Sequence, residues 1–314
     1  MIELNINDMK DTERHSSKGN QLKWNPANTE TWYKADYIGY EGLTEYMVSH
    51  LLMHSTLSTK DFVLYDTEIL RVGKKDYLGC KSSNFLPDGW QLLTLERLFH
   101  TLHGKSLYQS IFQFGEVEDR AQFLVDQVIQ MTGLKDFGKY LCTLLTIDAL
   151  FLNEDRHMHN IGVLLDPLGI YHYCPVFDNG CSLLSDTTTD YPLEEDIIDL
   201  IPQVQAKTLS TDFLEQLDAV EKLYGQKLHF DFNGQIIETL LREEKLKKIL
   251  FNRYKNKSSR HYITTKKILP VFIFISKKGS EPLPFLPSHP IPRPIIPSVA
   301  GIPYLSSRSL YQIP

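Results

Sequence analysis

The tightest constraint on how this 314-residue chain can fold lies in residues 138–180. Residues 138–152 place Tyr140, Leu141, Leu144, Leu145, Ile147, Leu150 and Phe151 at helical spacing, with Asp148 among them, and predict a buried helix. That helix has to stop where Asn153-Glu154-Asp155-Arg156-His157-Met158-His159-Asn160 begins, because the polar run offers no apolar stripe. Residues 161–165 and 170–174 then read as strands joined by Asp166-Pro167-Leu168-Gly169, a turn signal. Phe177-Asp178-Asn179-Gly180 returns to loop chemistry. A chain so patterned carries two polar loops flanking one short hairpin, beside the end of a buried helix.

The remainder divides into two regimes. Strands are expected at 2–6, 22–24, 31–36, 62–65, 69–72 and 77–80, with a turn-rich loop at 14–21 and a helix over 43–57. Strand, helix, strand is the order of a small α+β lobe. From residue 92 the pattern turns helical, at 93–102, 106–112, 116–131 and 135–152, and again near 194–201, 211–224 and 234–251. The Ser/Thr/Asp-rich segment 182–191 reads as a solvated loop whose hydroxyls phosphorylation could order. The lobe boundary is expected within 80–92, which gives an N-lobe of 1–88, a helical C-lobe of 89–251 and a tail of 252–314.

Charge separates the tail from the body. Residues 1–251 hold 23 Lys and Arg against 38 Asp and Glu, whereas 252–314 hold 10 against Glu281 alone, together with ten of the sixteen prolines. A basic, proline-dense end without amphipathic period reads as extended or disordered and suits an acidic partner or the acidic body itself. The acidic body argues against a nucleic-acid partner. No apolar run reaches the about eighteen residues a membrane helix needs. Met1-Ile2-Glu3-Leu4-Asn5 lacks the basic and apolar regions of a cleaved signal. A bacterial cytoplasmic protein is expected, with export by a route without a cleaved signal left open. Cys80, Cys142, Cys174 and Cys181 form no C-x-x-C pair and suit a reduced compartment. His157-x-His159 with His172-x-Cys174 is the nearest approach to a zinc set, and is outweighed by the loop's own need for polar residues.

Two aspartates and an asparagine on neighbouring loops are what phosphoryl transfer requires. Asp155 is the candidate general base for an acceptor hydroxyl, and Asn160 and Asp178 are candidate oxygen ligands for Mg²⁺ against a nucleotide's phosphates. Gly180 is expected to let the chain turn after Asp178. Arg156 and His157 either touch the transferred phosphate or brace the loop. Upstream, Lys34 on a predicted strand and Glu45 on the following helix have the spacing of a phosphate-holding lysine and the carboxylate that positions it. Ser16-Ser17-Lys18-Gly19 stands where a phosphate-covering loop would be, and a plain turn explains it as well.

At these residues the chain resembles the HipA-like family of bacterial serine/threonine kinases. The match rests on Asn153-x-Asp155-x-His157-x-x-Asn160, then Pro175-Val176-Phe177-Asp178-Asn179-Gly180-x-Ser182-Leu183, with Trp32-Tyr33-Lys34 and Thr44-Glu45-Tyr46 upstream. Within the family it looks most like the compact cell-translocating kinase (CtkA) type. The resemblance implies an α+β, two-lobed, protein-kinase-like fold with a small β-rich N-lobe and a larger, mainly helical C-lobe. It implies ATP and Mg²⁺ as cofactors and transfer to Ser or Thr hydroxyls of a protein, including the kinase itself, with a host-cell target if the chain is secreted. By position it makes Asp155 the catalytic base, Asn160 and Asp178 metal ligands, and Lys34 the ATP lysine. Asp155-Arg156-His157-x-x-Asn160 also resembles the phosphoinositide-kinase loop. A lipid or small-molecule kinase, and a nucleotide-binding module without turnover, therefore stand as alternatives.

Overall fold

The computed structural model describes residues 1–10, 21–27, 29–225 and 228–242. Six strands, β1 (Ile2–Leu4), β2 (Met9–Lys10), β3 (Lys23–Trp24), β4 (Thr31–Ala35), β5 (Tyr65–Val72) and β6 (Lys75–Ser83), form one sheet in the order β1-β5-β6-β4-β3-β2. All neighbours are antiparallel except β1 and β5. Residues 65–72 make one strand rather than two short ones with a break at 66–68. Asp66 is exposed there, and the inward Glu68 is neutralised by the Met1 amine at 3.1 Å and Lys81 at 3.4 Å. Phe62 joins no strand and makes a lone parallel bridge to Val176.

Helix α1 (Glu41–Leu52) packs on β5 and β6, and all its residues but His50 are buried. It starts two residues before the expected span because Glu41 accepts the backbone N–H groups of Tyr37, Ile38 and Gly39, capping the loop ahead of the helix. It ends at Leu52 rather than 57, where Ser55 Oγ donates to the Leu52 carbonyl. Gly42 sets how close it lies to β6, and Gly79 how close β6 lies to β4. A Cβ on Gly42 would fall 2.7 Å from the Gly79 Cα, and a Cβ on Gly79 would fall 1.9 Å from the Lys34 carbonyl oxygen. Glu45, one turn beyond Gly42, is thereby carried down onto β4.

The rest is mainly helical: α2 (Leu95–His103), α3 (Leu107–Ile111), α4 (Val117–Thr132), α5 (Phe137–Phe151), α6 (Ile197–Leu200) with a 3-10 turn at Ile201–Gln203, α7 (Phe213–Tyr224) and α8 (Gly234–Arg242). A three-stranded antiparallel sheet, β7 (Gln91–Thr94), β8 (Gly162–Leu165) and β9 (Tyr171–Tyr173), in the order β7-β8-β9, contains the expected hairpin. Residues 93–94, expected to open a helix, instead pair with 162–163, and the Thr94 side chain caps α2 at the Arg97 N–H. Helix α5 is the buried helix expected from 138–152, packed against α4 and α7. The architecture is thus α+β, a β-rich part followed by a helical part. The end of the 234–251 helix, the tail 252–314 and the 16–19 loop lie outside the described residues. Among the described residues no helix is long and apolar enough to cross a membrane.

Candidate active site

Helix α5 ends in a left-handed residue, Leu152 (φ 55°), which throws residues 153–160 back across its last turn. The Asn153 amide donates to Asp148 Oδ1 at 2.9 Å, and Arg156 Nε lies 3.2 Å from both oxygens of the same carboxylate. Asp148 is fully buried, so its charge has to be met inside the protein. Arg156 is 1% exposed and spends its other donors on the carbonyls of Phe177 (2.8 Å) and Asn160 (3.3 Å) and on Asn179 Oδ1 (2.7 Å). Burial works against its charge, but Asp148 outweighs that and holds the guanidinium above its ordinary value. Of the two roles open to Arg156, the geometry selects bracing: it fastens the 153–160 loop to the 177–180 loop.

Lys34 and Glu45 do meet. Lys34 Nζ lies 2.7 Å from Glu45 Oε1 and 2.7 Å from Asp178 Oδ1, and Glu45 Oε2 accepts the Asn179 N–H at 2.9 Å. Burial lowers the affinity of Lys34 for its proton, yet Asp178 and Glu45 together hold the ammonium well above its usual range. Burial likewise raises Asp178, but Lys34, with Lys23 second, holds it below the carboxylate range. The left-handed residue of this loop is Asp178 itself (φ 59°), not Gly180, a conformation that a short acidic side chain tolerates. A Cβ added at Gly180 would meet Glu41 and Glu45 at 3.4 and 3.7 Å, close to ordinary contact. Lys23, which sequence reasoning missed, sits directly across the β3–β4 ladder from Lys34. Like charges paired this way repel unless an anion faces both.

Asp155 is buried, and the Asn160 amide donates to its carbonyl at 2.7 Å, closing the loop on itself. His157 Nε2 is 3.8 Å from Asp155 Oδ1. Burial, more than Asp155 can offset, pulls that imidazole below its ordinary value. Lys207 Nζ also reaches Asp155 Oδ1, at 3.3 Å, from the loop before α7. The thiol of Cys181 is pushed up by burial and by the fields of Asp155, then Asp178. The zinc grouping does not form: His172 pairs with Asp166 at 3.0 Å and stacks on Trp90. Among the described residues no cluster of three or more His, Cys, Asp or Glu is arranged around a common point.

Residues 182–186, expected to be solvated, are folded down. Ser182, Ser185 and Asp186 are buried, and Thr188, Thr189 and Asp190 are the exposed part of the segment. Leu183 and Leu184 are both left-handed (φ 56°), and the Tyr40 hydroxyl donates to their carbonyls at 2.7 and 3.0 Å, holding that strained pair against the start of α1.

The oxygen set suits a hard divalent cation. Asp178 Oδ2 and Asn160 Oδ1 accept no hydrogen bond from a described residue, and carboxylate and amide oxygens are what Mg²⁺ takes alongside phosphates and water. Sequence reasoning singled out Lys34, Glu45, Asp155, Asn160 and Asp178; the structure brings Lys34, Glu45 and Asp178 together and joins Asn160 to Asp155. Sequence reasoning missed the binding role of Asp148, whose signal was an acid inside an apolar helix face, and it missed Lys207, which carried no signal.

No model of a known protein family matches the chain, and no curated protein matches it in sequence. Among solved structures it is similar to a Helicobacter pylori proinflammatory kinase, CtkA, over 88% of this chain and 99% of that one, at 17% identity and a TM-score of 0.49.

Proposed function

We propose that the chain is an ATP-dependent protein kinase that phosphorylates Ser or Thr hydroxyls, its own included. The observation that carries this reading is the Lys34 ammonium held 2.7 Å from both Glu45 and Asp178. A strand lysine positioned by a helix glutamate beside a loop aspartate is the arrangement that grips nucleotide phosphates and their metal. Lys34 and Lys23 would hold the phosphates, and Asp178 and Asn160 the Mg²⁺. When bound, ATP supplies the γ-phosphoryl group and Mg²⁺ offsets its charge. Asp155 takes the acceptor's proton as the acceptor oxygen bonds to the γ-phosphorus and the bond to the bridging oxygen breaks, its electron pair going to ADP. Arg156 keeps Asp155 and Asp178 in register, so base and metal ligand stay aligned through the reaction. On this reading residues 1–88 form the nucleotide-gripping lobe and 89–251 the lobe carrying the base.

The test is incubation with ATP and Mg²⁺, followed by mass spectrometry of the chain and of a basic acceptor protein. Phosphoserine or phosphothreonine that disappears in Asp155→Ala, while nucleotide binding survives, is the expected result. Asp178→Ala is expected to lose metal-dependent binding as well. Transfer to phosphoinositide vesicles but not to protein would move the reading to a lipid kinase. Tight binding without transfer to any acceptor would make the chain a nucleotide-binding module.

A further inference from the structure

The loop 153–160 turns its own arginine away from its base. Arg156 is consumed by Asp148 and three further acceptors, and the half-buried His157 imidazole stands 3.8 Å from Asp155 Oδ1. A carboxylate base approaching an anionic phosphoryl group then faces an electrostatic penalty, because both partners are negative. Among the described residues a lysine reaches Asp155 from 52 residues downstream, as Lys207 Nζ at 3.3 Å from Oδ1.

The backbone around Lys207 is anchored on both sides. Thr208 is fully buried and its hydroxyl donates to the Arg156 carbonyl at 2.6 Å, tying this loop directly to 153–160. The Ala206 N–H donates to the Thr211 carbonyl at 2.9 Å, the Leu209 N–H to Gln216 Oε1 at 3.1 Å, and Arg120 donates to the Leu209 carbonyl at 2.9 Å. The Lys207 side chain is by contrast 39% exposed. A fixed backbone thus aims a long, partly solvated ammonium at the base. An ion pair with one partner so exposed contributes little to stability, so stability does not explain the placement.

We propose that Lys207 is a positioning residue for phosphoryl transfer: it orients Asp155 and screens that carboxylate from the phosphoryl group passing to the acceptor hydroxyl. The inference rests on the kinase reading above and adds a residue to it. Lys34, Glu45 and Asp178 form no contact with Lys207, so its removal is expected to spare nucleotide binding and slow the chemical step.

The experiment measures single-turnover transfer and ATP affinity in the full chain for wild type, Lys207→Met and Lys207→Arg, with melting temperature as the check on folding. Lys207→Met is expected to lose about 100-fold in transfer rate, the scale for removing one preorganised charge partner, with ATP affinity unchanged within about twofold. Lys207→Arg keeps the charge and is expected to stay within about tenfold of wild type. Lys207→Met that folds and turns over like wild type, while Asp155→Ala is dead, overturns the role of Lys207 and leaves the kinase reading standing. A parallel loss of ATP affinity, or an Arg variant as slow as Met, also overturns it by making the effect one of binding or packing. Absence of transfer by wild type overturns both.

Discussion

Replacing Asp148 by alanine is expected to cost far more than its single charge suggests. The carboxylate is fully buried and meets Arg156 Nε at 3.2 Å through both oxygens and the Asn153 amide at 2.9 Å. Its removal strands a guanidinium that is itself 1% exposed. Breaking one side of a buried pair in this way costs about 3–5 kcal/mol, most of it the desolvation of the survivor. The exposed pair Arg71–Asp76, with Nε at 2.7 Å from Oδ1, is the internal control, because Asp76→Ala should cost far less than Asp148→Ala despite the shorter contact. Urea unfolding followed by circular dichroism gives both values. The double variant Asp148→Ala/Arg156→Met removes the stranded charge and should regain about 1–2 kcal/mol. It does not recover fully, because the Phe177 and Asn160 carbonyls and Asn179 Oδ1 lose their donor. Equal costs for Asp148→Ala and Asp76→Ala, or a double variant less stable than the single by the full Arg156→Met cost, would refute the reasoning that burial sets the magnitude.

Two further perturbations test the site itself. Lys34→Met should weaken nucleotide binding and lower stability by about 3 kcal/mol near neutral pH, since Glu45 and Asp178 are left facing each other without their cation. Asp178 sits below its ordinary value, so its share of that stability is present above about pH 3.9 and disappears as pH falls through the lower folded value. Lys34 sits above its ordinary value, so its share is present below about pH 10.4 and disappears as pH rises through the folded one. The gap between wild type and variant in urea titrations should therefore be flat between about pH 5 and pH 10 and close on either side; a gap that widens in acid contradicts the ion triad. Gly42→Ala should push α1 off β6 by steric contact with the Gly79 backbone, cost about 1–3 kcal/mol and weaken ATP binding by separating Glu45 from Lys34. Full ATP affinity in a folded Gly42→Ala protein would show that the close helix–sheet approach does not set the Lys34–Glu45 contact.

What could be read from the chain alone was what depends on local periodicity and residue chemistry. Helix α5, the polar turn after it and the β8–β9 hairpin were legible, and Asp155, Asn160 and Asp178 could be singled out as candidates, because 3.6- and 2-residue periods and side-chain oxygen chemistry are written in neighbouring positions. Boundaries were less so: residues 93–94 went to β7 because β8 offered them partners, Val163 and Gly162, that no local window contains. Tertiary structure alone decided the rest. Arg156 had two possible roles until Asp148 and the Phe177 carbonyl were seen around it, and Lys207 looked like any solvated lysine until its loop was tied to the Arg156 carbonyl by Thr208. Lys23 and Lys34 gained a joint meaning through strand register, and the 182–186 segment was polar by composition yet buried because Tyr40 and α1 cover it. Sequence determined which groups with the chemistry for phosphoryl transfer exist and roughly where they stand. Which charges are desolvated, and therefore which are braces and which are open to a ligand, depends on through-space neighbours that only the folded chain brings within a few ångströms.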